Sequence, residues 1–154
     1  MFAVAPRTSG LYGLREFCLA TAEIFSGKMQ SAARRYAKIA PSAPHALHLP
    51  SHTFTRVGHW EDSIATNLAS ADAARKANSA SEMLHALDYQ VYAYLQTAQD
   101  TAARKVMEEL QSILARVDTA EQYGQVGFYA AAAIPARYAL ERRDWKQAAA
   151  LETR

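Results

Sequence analysis

Residues 81–117 read SEMLHALDYQVYAYLQTAQDTAARKVMEELQSILARV, which is the clearest helical pattern in the chain. In the second half of this stretch, apolar residues recur at i, i+3, i+4 and i+7, the spacing of one face of an α-helix. The members of this stripe are Ala103, Val106, Met107, Leu110, Ile113, Leu114 and Val117. A stripe with the same spacing runs through residues 81–97, and only three residues, 98–100, separate the two. So short a connection predicts two antiparallel helices that pack side by side.

The same order of helix, short turn and helix is predicted along the rest of the chain. Turns are expected at Gly27, Gly58, Ala98 and Arg143. The other predicted helices span residues 11–26, 29–40, 46–57, 60–77 and 128–142, and a last one opens at Trp145. Trp60 and Trp145 each begin a second helix and are expected to pack within their helix pairs.

Two prolines and one polar stretch interrupt this pattern. Proline has no N–H to donate, so Pro50 is expected either in the first turn of a helix or at a kink, and Pro135 at a kink. Residues 118–127 are interpreted as a loop between two helix pairs.

Composition excludes several classes of protein. Half of the 154 residues are hydrophobic and 21% are charged, which is typical of a globular domain. The formal net charge of +2 gives no reason to expect a nucleic acid or an acidic membrane surface as partner. Cys18 is the single cysteine, so neither an internal disulfide nor a cysteine-based zinc site is expected. With no signal peptide and no long apolar span, the sequence predicts a cytoplasmic protein.

Four hexapeptides that begin the second helices carry a resemblance to a known family. They read GKMQSA (27–32), GHWEDS (58–63), AQDTAA (98–103) and RDWKQA (143–148). They resemble the tetratricopeptide repeat family, in which Gly, a polar residue, an aromatic, two polar residues and Ala open the second helix. Tyr36 and Pro44 match the later aromatic and the terminal proline of that motif. The stretch of residues 32–58, which contains PHALHLPSH (44–52), is similar to a narrower group of bacterial members of unassigned role.

The resemblance implies an all-α fold over residues 1–154 as a single domain. That fold would be a right-handed α-solenoid of antiparallel helix pairs, with about three and a half repeats. The implied repeats cover about residues 11–44, 45–78, 81–117 and 119–154, and the last is incomplete. The apolar residues of that last repeat predict an exposed edge, which a partner or a second copy of the chain would cover.

The family places the first helices of its repeats along a concave groove. Transferred to this sequence, the groove residues of repeats 2, 3 and 4 are His45, His48, His52, Arg56, His85, Asp88, Tyr92 and Arg137. His45, His48 and His52 are at i, i+3 and i+7, which puts them on one helix face whatever the family. His85 occupies the position in its repeat that is equivalent to His45.

Three interpretations of these histidines stay open. They can cap and pack around Pro50, or they can line a peptide groove together with Arg56, Arg137, Asp88 and Tyr92. They can also bind zinc or copper as neutral imidazoles, with Asp88 supplying an oxygen; that site would comprise His45, His48, His52, His85 and Asp88.

The sequence shows no phosphate-binding loop, serine elbow or His-Glu-x-x-His motif. We therefore expect a protein- or peptide-binding scaffold with neither catalytic activity nor a cofactor. The alternatives are a metal-binding module or metal-dependent hydrolase, and an inactive fragment of a longer protein of the same family.

Overall fold

The computed structural model describes residues 27–36, 38–116 and 120–152. They form α1 (Gly27–Tyr36), α2 (Pro44–His48), α3 (Pro50–Val57), α4 (Trp60–Lys76), α5 (Ala80–Gln96), α6 (Asp100–Leu114), α7 (Ala120–Glu141) and α8 (Trp145–Ala149). No strand occurs in these ranges, so the predicted all-α class is confirmed there. The helix predicted over residues 11–26, and Cys18 within it, lie outside the described residues.

The helices α4, α5 and α6 begin within one residue of their predicted starts. In α5 and α6 the apolar stripes that predicted them are the faces buried in the core. The helix predicted over residues 29–40 ends earlier, at Tyr36, and the chain then turns before Pro44.

The helix predicted over residues 46–57 is interrupted at Leu49. Proline has no N–H for the carbonyl four residues back, so α2 ends at His48 and Pro50 takes the first position of α3. Leu49 keeps right-handed helical angles (φ −48°, ψ −39°), so the chain continues in the same helical sense across the interruption. Of the two expectations for Pro50, the first-turn position is correct.

The loop predicted over residues 118–127 is wrong from Ala120 onward, because α7 begins there. The backbone leaves helical geometry at Gly124 (φ 59°, ψ 171°), a conformation that glycine adopts without a Cβ clash. Pro135 lies inside α7, and the break falls at Gly124 rather than at the proline. Gly127, the last residue of the predicted loop, is buried within the helix.

The turns predicted after α3, α5 and α7 are closed in the same way. Their central residues, Gly58, Ala98 and Arg143, have positive φ angles of 75°, 56° and 56°. After each, an amide donates to a carbonyl five residues back: His59 to Phe54 (2.9 Å), Gln99 to Tyr94 (2.8 Å) and Asp144 to Ala139 (2.9 Å). This is the bond that closes a helix in the Schellman motif. The predicted turn positions at these three residues are therefore confirmed.

Helix α5 is the centre of the described structure. One of its faces packs on α6 and α7 and forms an apolar core. The buried members of that core are Leu84, Leu87, Val91, Ala103, Val106, Leu110, Ile113, Ala130, Ala131, Ile134 and Tyr138. On its other side α5 packs on α4 and α2, while α1 packs on α3 and α8 on α7. Every extensive contact therefore joins helices that are close in chain order.

Apolar side chains stay exposed on α7 and α8. Leu140 is 49% exposed and Trp145 is 65% exposed. Packing of Trp145 within its helix pair was therefore a wrong expectation, and the ring of Trp60 lies 5.5 Å from that of Tyr92 on α5, which belongs to the next expected pair. Among the described helices, none combines the length and the apolar character needed to cross a bilayer.

Candidate functional site

Four histidine rings from α2, α3 and α5 lie side by side. The ring centroid of His48 is 4.0 Å from that of His85 and 4.8 Å from that of His52. The ring of His45 lies 5.8 Å from His48 and 5.9 Å from His85, at the edge of the group. The structure thus brings together the four histidines that the sequence placed on one surface. We call these four residues the histidine cluster.

His48 lies at the buried centre of the histidine cluster, with no solvent exposure. Its Nδ1 is 2.7 Å from Oδ1 of Asn67 on α4. The Asn67 amide nitrogen donates to the Ser63 carbonyl at 2.7 Å, and this bond orients the amide so that its oxygen faces the imidazole. His48 must therefore carry its hydrogen on Nδ1, and the lone pair of its Nε2 points toward the other histidines.

His52 continues this hydrogen-bond chain. Its Nε2 is 3.0 Å from Nε2 of His48, and its Nδ1 is 2.9 Å from the Tyr89 hydroxyl. Because His48 Nε2 accepts, His52 Nε2 donates to it, and His52 Nδ1 accepts from Tyr89. The donor and acceptor roles are therefore consistent along the whole hydrogen-bond chain. The Tyr89 hydroxyl donates to His52, His52 donates to His48, and His48 donates to Asn67.

Burial keeps these rings neutral. Loss of solvent, and then the nearby charge of His85, lower the pKa of His48 from 6.5 to about 2 and that of His52 to about 4. Burial also lowers the pKa of His85, followed by the charge of His45. At neutral pH, His48, His52 and His85 therefore have lone pairs that can bind a proton donor or a metal ion.

His85 differs from its neighbours in having an unpaired polar atom. Its Nδ1 is buried and has no hydrogen-bond partner among the described residues. One ring nitrogen each of His48, His52 and His85 lies within 4.8 Å of the others, a group that could hold a metal ion. His45 is not in this group, since its side chain is 53% exposed and its Nδ1 lies 3.3 Å from the Glu82 carboxylate.

Asp88 also lies outside the group of three ring nitrogens, because its carboxylate forms an ion pair with Arg137. Oδ1 of this buried residue accepts from Arg137 Nε at 2.6 Å, and Oδ2 lies 3.3 Å from Nη2. The guanidinium also lies 5.1 Å from the centroid of the Tyr92 ring, which in turn lies 5.5 Å from the Trp60 ring. Three predicted groove residues, Asp88, Tyr92 and Arg137, thus hold one another in place. The Asp88 carboxylate, which was expected to supply an oxygen ligand to a metal ion, is instead bound to Arg137.

Tyr89 joins the histidine cluster to a wider surface. Burial and the charge of Asp88 raise its pKa, while the nearby positive charges of Arg137 and Arg56 oppose that rise. The charge of Tyr129 on α7 also raises the pKa of Tyr89, and Tyr129 is 64% exposed. Arg56 is exposed, and no carboxylate in the part of the chain that the structure describes lies within ion-pair distance of it. We call Arg56, Tyr89, Tyr92, Tyr129 and Arg137 the tyrosine–arginine surface.

Sequence reasoning missed Asn67, Tyr89 and Tyr129. A signal for Asn67 was available, because Ser63, Asn67 and Ser70 recur at i, i+4 and i+7 on α4 and all three are fully buried. A polar stripe at helical spacing indicates a hydrogen-bonded interface. Tyr89 follows His85 by four residues, which puts the two on one helix face.

A cleft of about 650 Å³ lies away from these residues. It is bounded by the end of α4, the start of α5 and the far half of α6, and contains none of the predicted site residues. Two of its lining residues, Arg75 and Glu109, pair with each other at 2.7 Å. The described lining of this cleft therefore contains no set of polar side chains that come together as the histidines do.

No protein-family model, curated protein or solved structure matches the chain. A function can therefore be inferred only from the chain's own residues and their arrangement.

Proposed function

We propose that the chain is a tetratricopeptide-type scaffold that binds a protein or peptide segment on the tyrosine–arginine surface. The capping bond found at Gly58, Ala98 and Arg143 also closes α4 at Asn78, where the Ser79 amide donates to the Ala74 carbonyl at 2.9 Å, so four of the described helices end in tight turns of one kind. In a stack of repeats, each helix pair packs only against its neighbours. The extensive contacts of this chain likewise join helices that are close in chain order. In such a stack α3, α5 and α7 are the first helices of successive pairs.

The observation that carries the proposal is that the Arg137 guanidinium of α7 lies 5.1 Å from the Tyr92 ring of α5, while the charges of Arg137, Arg56 and Tyr129 all act on the neighbouring Tyr89. Tyrosine and arginine are enriched among residues that dominate binding energy at protein interfaces. Asp88 fixes Arg137, and Trp60 contacts Tyr92, so both side chains are ordered before a ligand arrives. A surface ordered in advance loses less conformational entropy on binding.

The charges on this surface indicate the chemistry of the ligand. Asp88 neutralises Arg137, whereas Arg56 has no anionic partner among the described residues. A carboxylate side chain on the ligand would supply that partner, and guanidinium–carboxylate pairs form two parallel hydrogen bonds. The exposed ring of Tyr129 would receive an apolar residue beside that carboxylate. We therefore expect an acidic segment with an adjacent apolar side chain.

Selection from a library of displayed random peptides tests this expectation. Acidic peptides should be enriched on the wild-type chain, and Arg56→Ala and Tyr129→Ala should each weaken binding of an enriched peptide about tenfold. Both side chains are exposed, so thermal melts of these variants should match the wild type. Arg116→Ala is the matched control, because Arg116 is exposed at the end of α6 and bonds only to Ser112 among described residues.

Equal binding of the enriched peptide to wild type, Arg56→Ala and Tyr129→Ala would place the ligand elsewhere. Enrichment of basic peptides, or failure to enrich any, would contradict the proposed ligand chemistry.

A further inference from the structure

We infer that His48, His52 and His85 form a binding site for a divalent transition-metal ion, with Zn²⁺ as the expected occupant. The site is separate from the tyrosine–arginine surface, although Tyr89 touches both. It rests on ring positions and hydrogen bonds within the histidine cluster and does not require a peptide ligand.

The spacing of the nitrogens fits such an ion. Zn–N bonds of about 2.0–2.1 Å place two nitrogens of a tetrahedral site about 3.3 Å apart. His48 Nε2 and His52 Nε2 are 3.0 Å apart, and the His85 nitrogen lies within 4.8 Å of both. The His85 nitrogen would have to move closer to the other two for all three to bind one ion.

The hydrogen bonds around His48 prepare it as a ligand. Asn67 accepts the Nδ1 hydrogen, which leaves the Nε2 lone pair directed at the other rings. Metal-bound histidines commonly donate their second ring N–H to a fixed acceptor in this way. Asn67 is itself held by Ser63, so both the tautomer and the orientation of His48 are set before an ion arrives.

His52 would change its tautomer when the ion binds. Its Nε2 would release a proton and give its lone pair to the metal, and its Nδ1 would take up a proton. The ring then donates to the Tyr89 oxygen, so this hydroxyl changes from donor to acceptor while the ring stays neutral. Tyr89 can serve in both states because a phenol hydroxyl donates and accepts.

His85 supplies the independent observation. Its buried Nδ1 lacks a partner among the described residues, and such an atom is unfavourable unless a ligand satisfies it. With Asp88 bound to Arg137, the protein offers three imidazoles and leaves the fourth tetrahedral position to water or another small ligand. Three protein ligands with an exchangeable fourth position are characteristic of zinc sites at which chemistry can occur.

Calorimetric titration of the chelator-stripped chain with Zn²⁺ tests the site. The wild type should bind one equivalent, and His85→Ala should bind at least about 100-fold more weakly. His85 has no hydrogen bond to lose at Nδ1, so this variant should fold, which its thermal melt would show. His59→Ala is the matched control, because His59 lies outside the histidine cluster and contacts Asp62 and Gln30.

Two results would overturn the site. One is the absence of stoichiometric Zn²⁺ binding to the wild-type chain. The other is a His85→Ala affinity equal to that of His59→Ala. Nitrogen-15 NMR of the histidine rings gives a second readout, because Zn²⁺ should move the His52 ring hydrogen from Nε2 to Nδ1 in the wild type.

Discussion

Leu87→Ala should lower the free energy of unfolding by about 3 kcal/mol. Leu87 is fully buried on α5 in the core shared with α6 and α7. Truncation removes the transfer free energy of the lost methyl groups and leaves a cavity, and Leu→Ala changes in such sites destabilise by about 2–5 kcal/mol. Because total stabilities are about 5–15 kcal/mol, this loss should be plain in urea unfolding.

Leu68→Ala is the matched control for this change. Leu68 is on α4 and is 49% exposed, so the same truncation there should alter stability by no more than about 0.5 kcal/mol. Equal losses in the two variants would show that the α5 face assigned to the core is not buried. The packing of Leu87 also matters for the site, because it anchors the helix that presents His85, Asp88 and Tyr89.

Asp88→Ala should also be strongly destabilising, by about 3 kcal/mol. The carboxylate is buried and holds Arg137 through two contacts, at 2.6 and 3.3 Å. Removing one partner of a buried ion pair leaves the other charge uncompensated, which costs about 3–5 kcal/mol. The Arg137 side chain is 32% exposed and can partly regain water, so the low end of that range is expected.

Asp72→Ala provides the comparison, since it removes an aspartate that pairs with Lys76 at 2.7 Å on the surface of α4. Exposed pairs of this kind contribute little, so its unfolding curve should overlay that of the wild type. If Asp88→Ala unfolded at the same urea concentration as Asp72→Ala, the Asp88–Arg137 pair would not be a structural element of the fold.

The helices and the histidine positions could be predicted because their signals are local. Spacing of i, i+3 and i+7 puts His45, His48 and His52 on one helix face, and the apolar stripe of α6 identifies its buried side. His85 was expected beside these residues from a comparison of two expected repeats, and its ring lies 5.9 Å from that of His45. The helix predictions themselves depended only on residues within one helix.

The pairing of the site residues could not be predicted in the same way. Asp88 and Arg137 are 49 residues apart, and both were predicted as open groove residues. Their contact depends on how α5 packs against α7, which one-dimensional patterns do not specify. The break at Gly124 is similar, because only packing decides whether a glycine ends a helix or bends it.

The proposed peptide surface and the proposed metal site share Tyr89, and the metal site depends on the position of Tyr89 relative to His52 and His48. The direct measurement is a long-range ¹H–¹⁵N NMR spectrum of the histidine rings in the metal-free chain at neutral pH, where burial keeps both rings neutral. The hydrogen-bond chain predicts that His48 carries its hydrogen on Nδ1 and His52 on Nε2. A hydrogen on Nδ1 of His52, or rapid averaging of either ring between tautomers, would contradict the arrangement of Tyr89, His52 and His48.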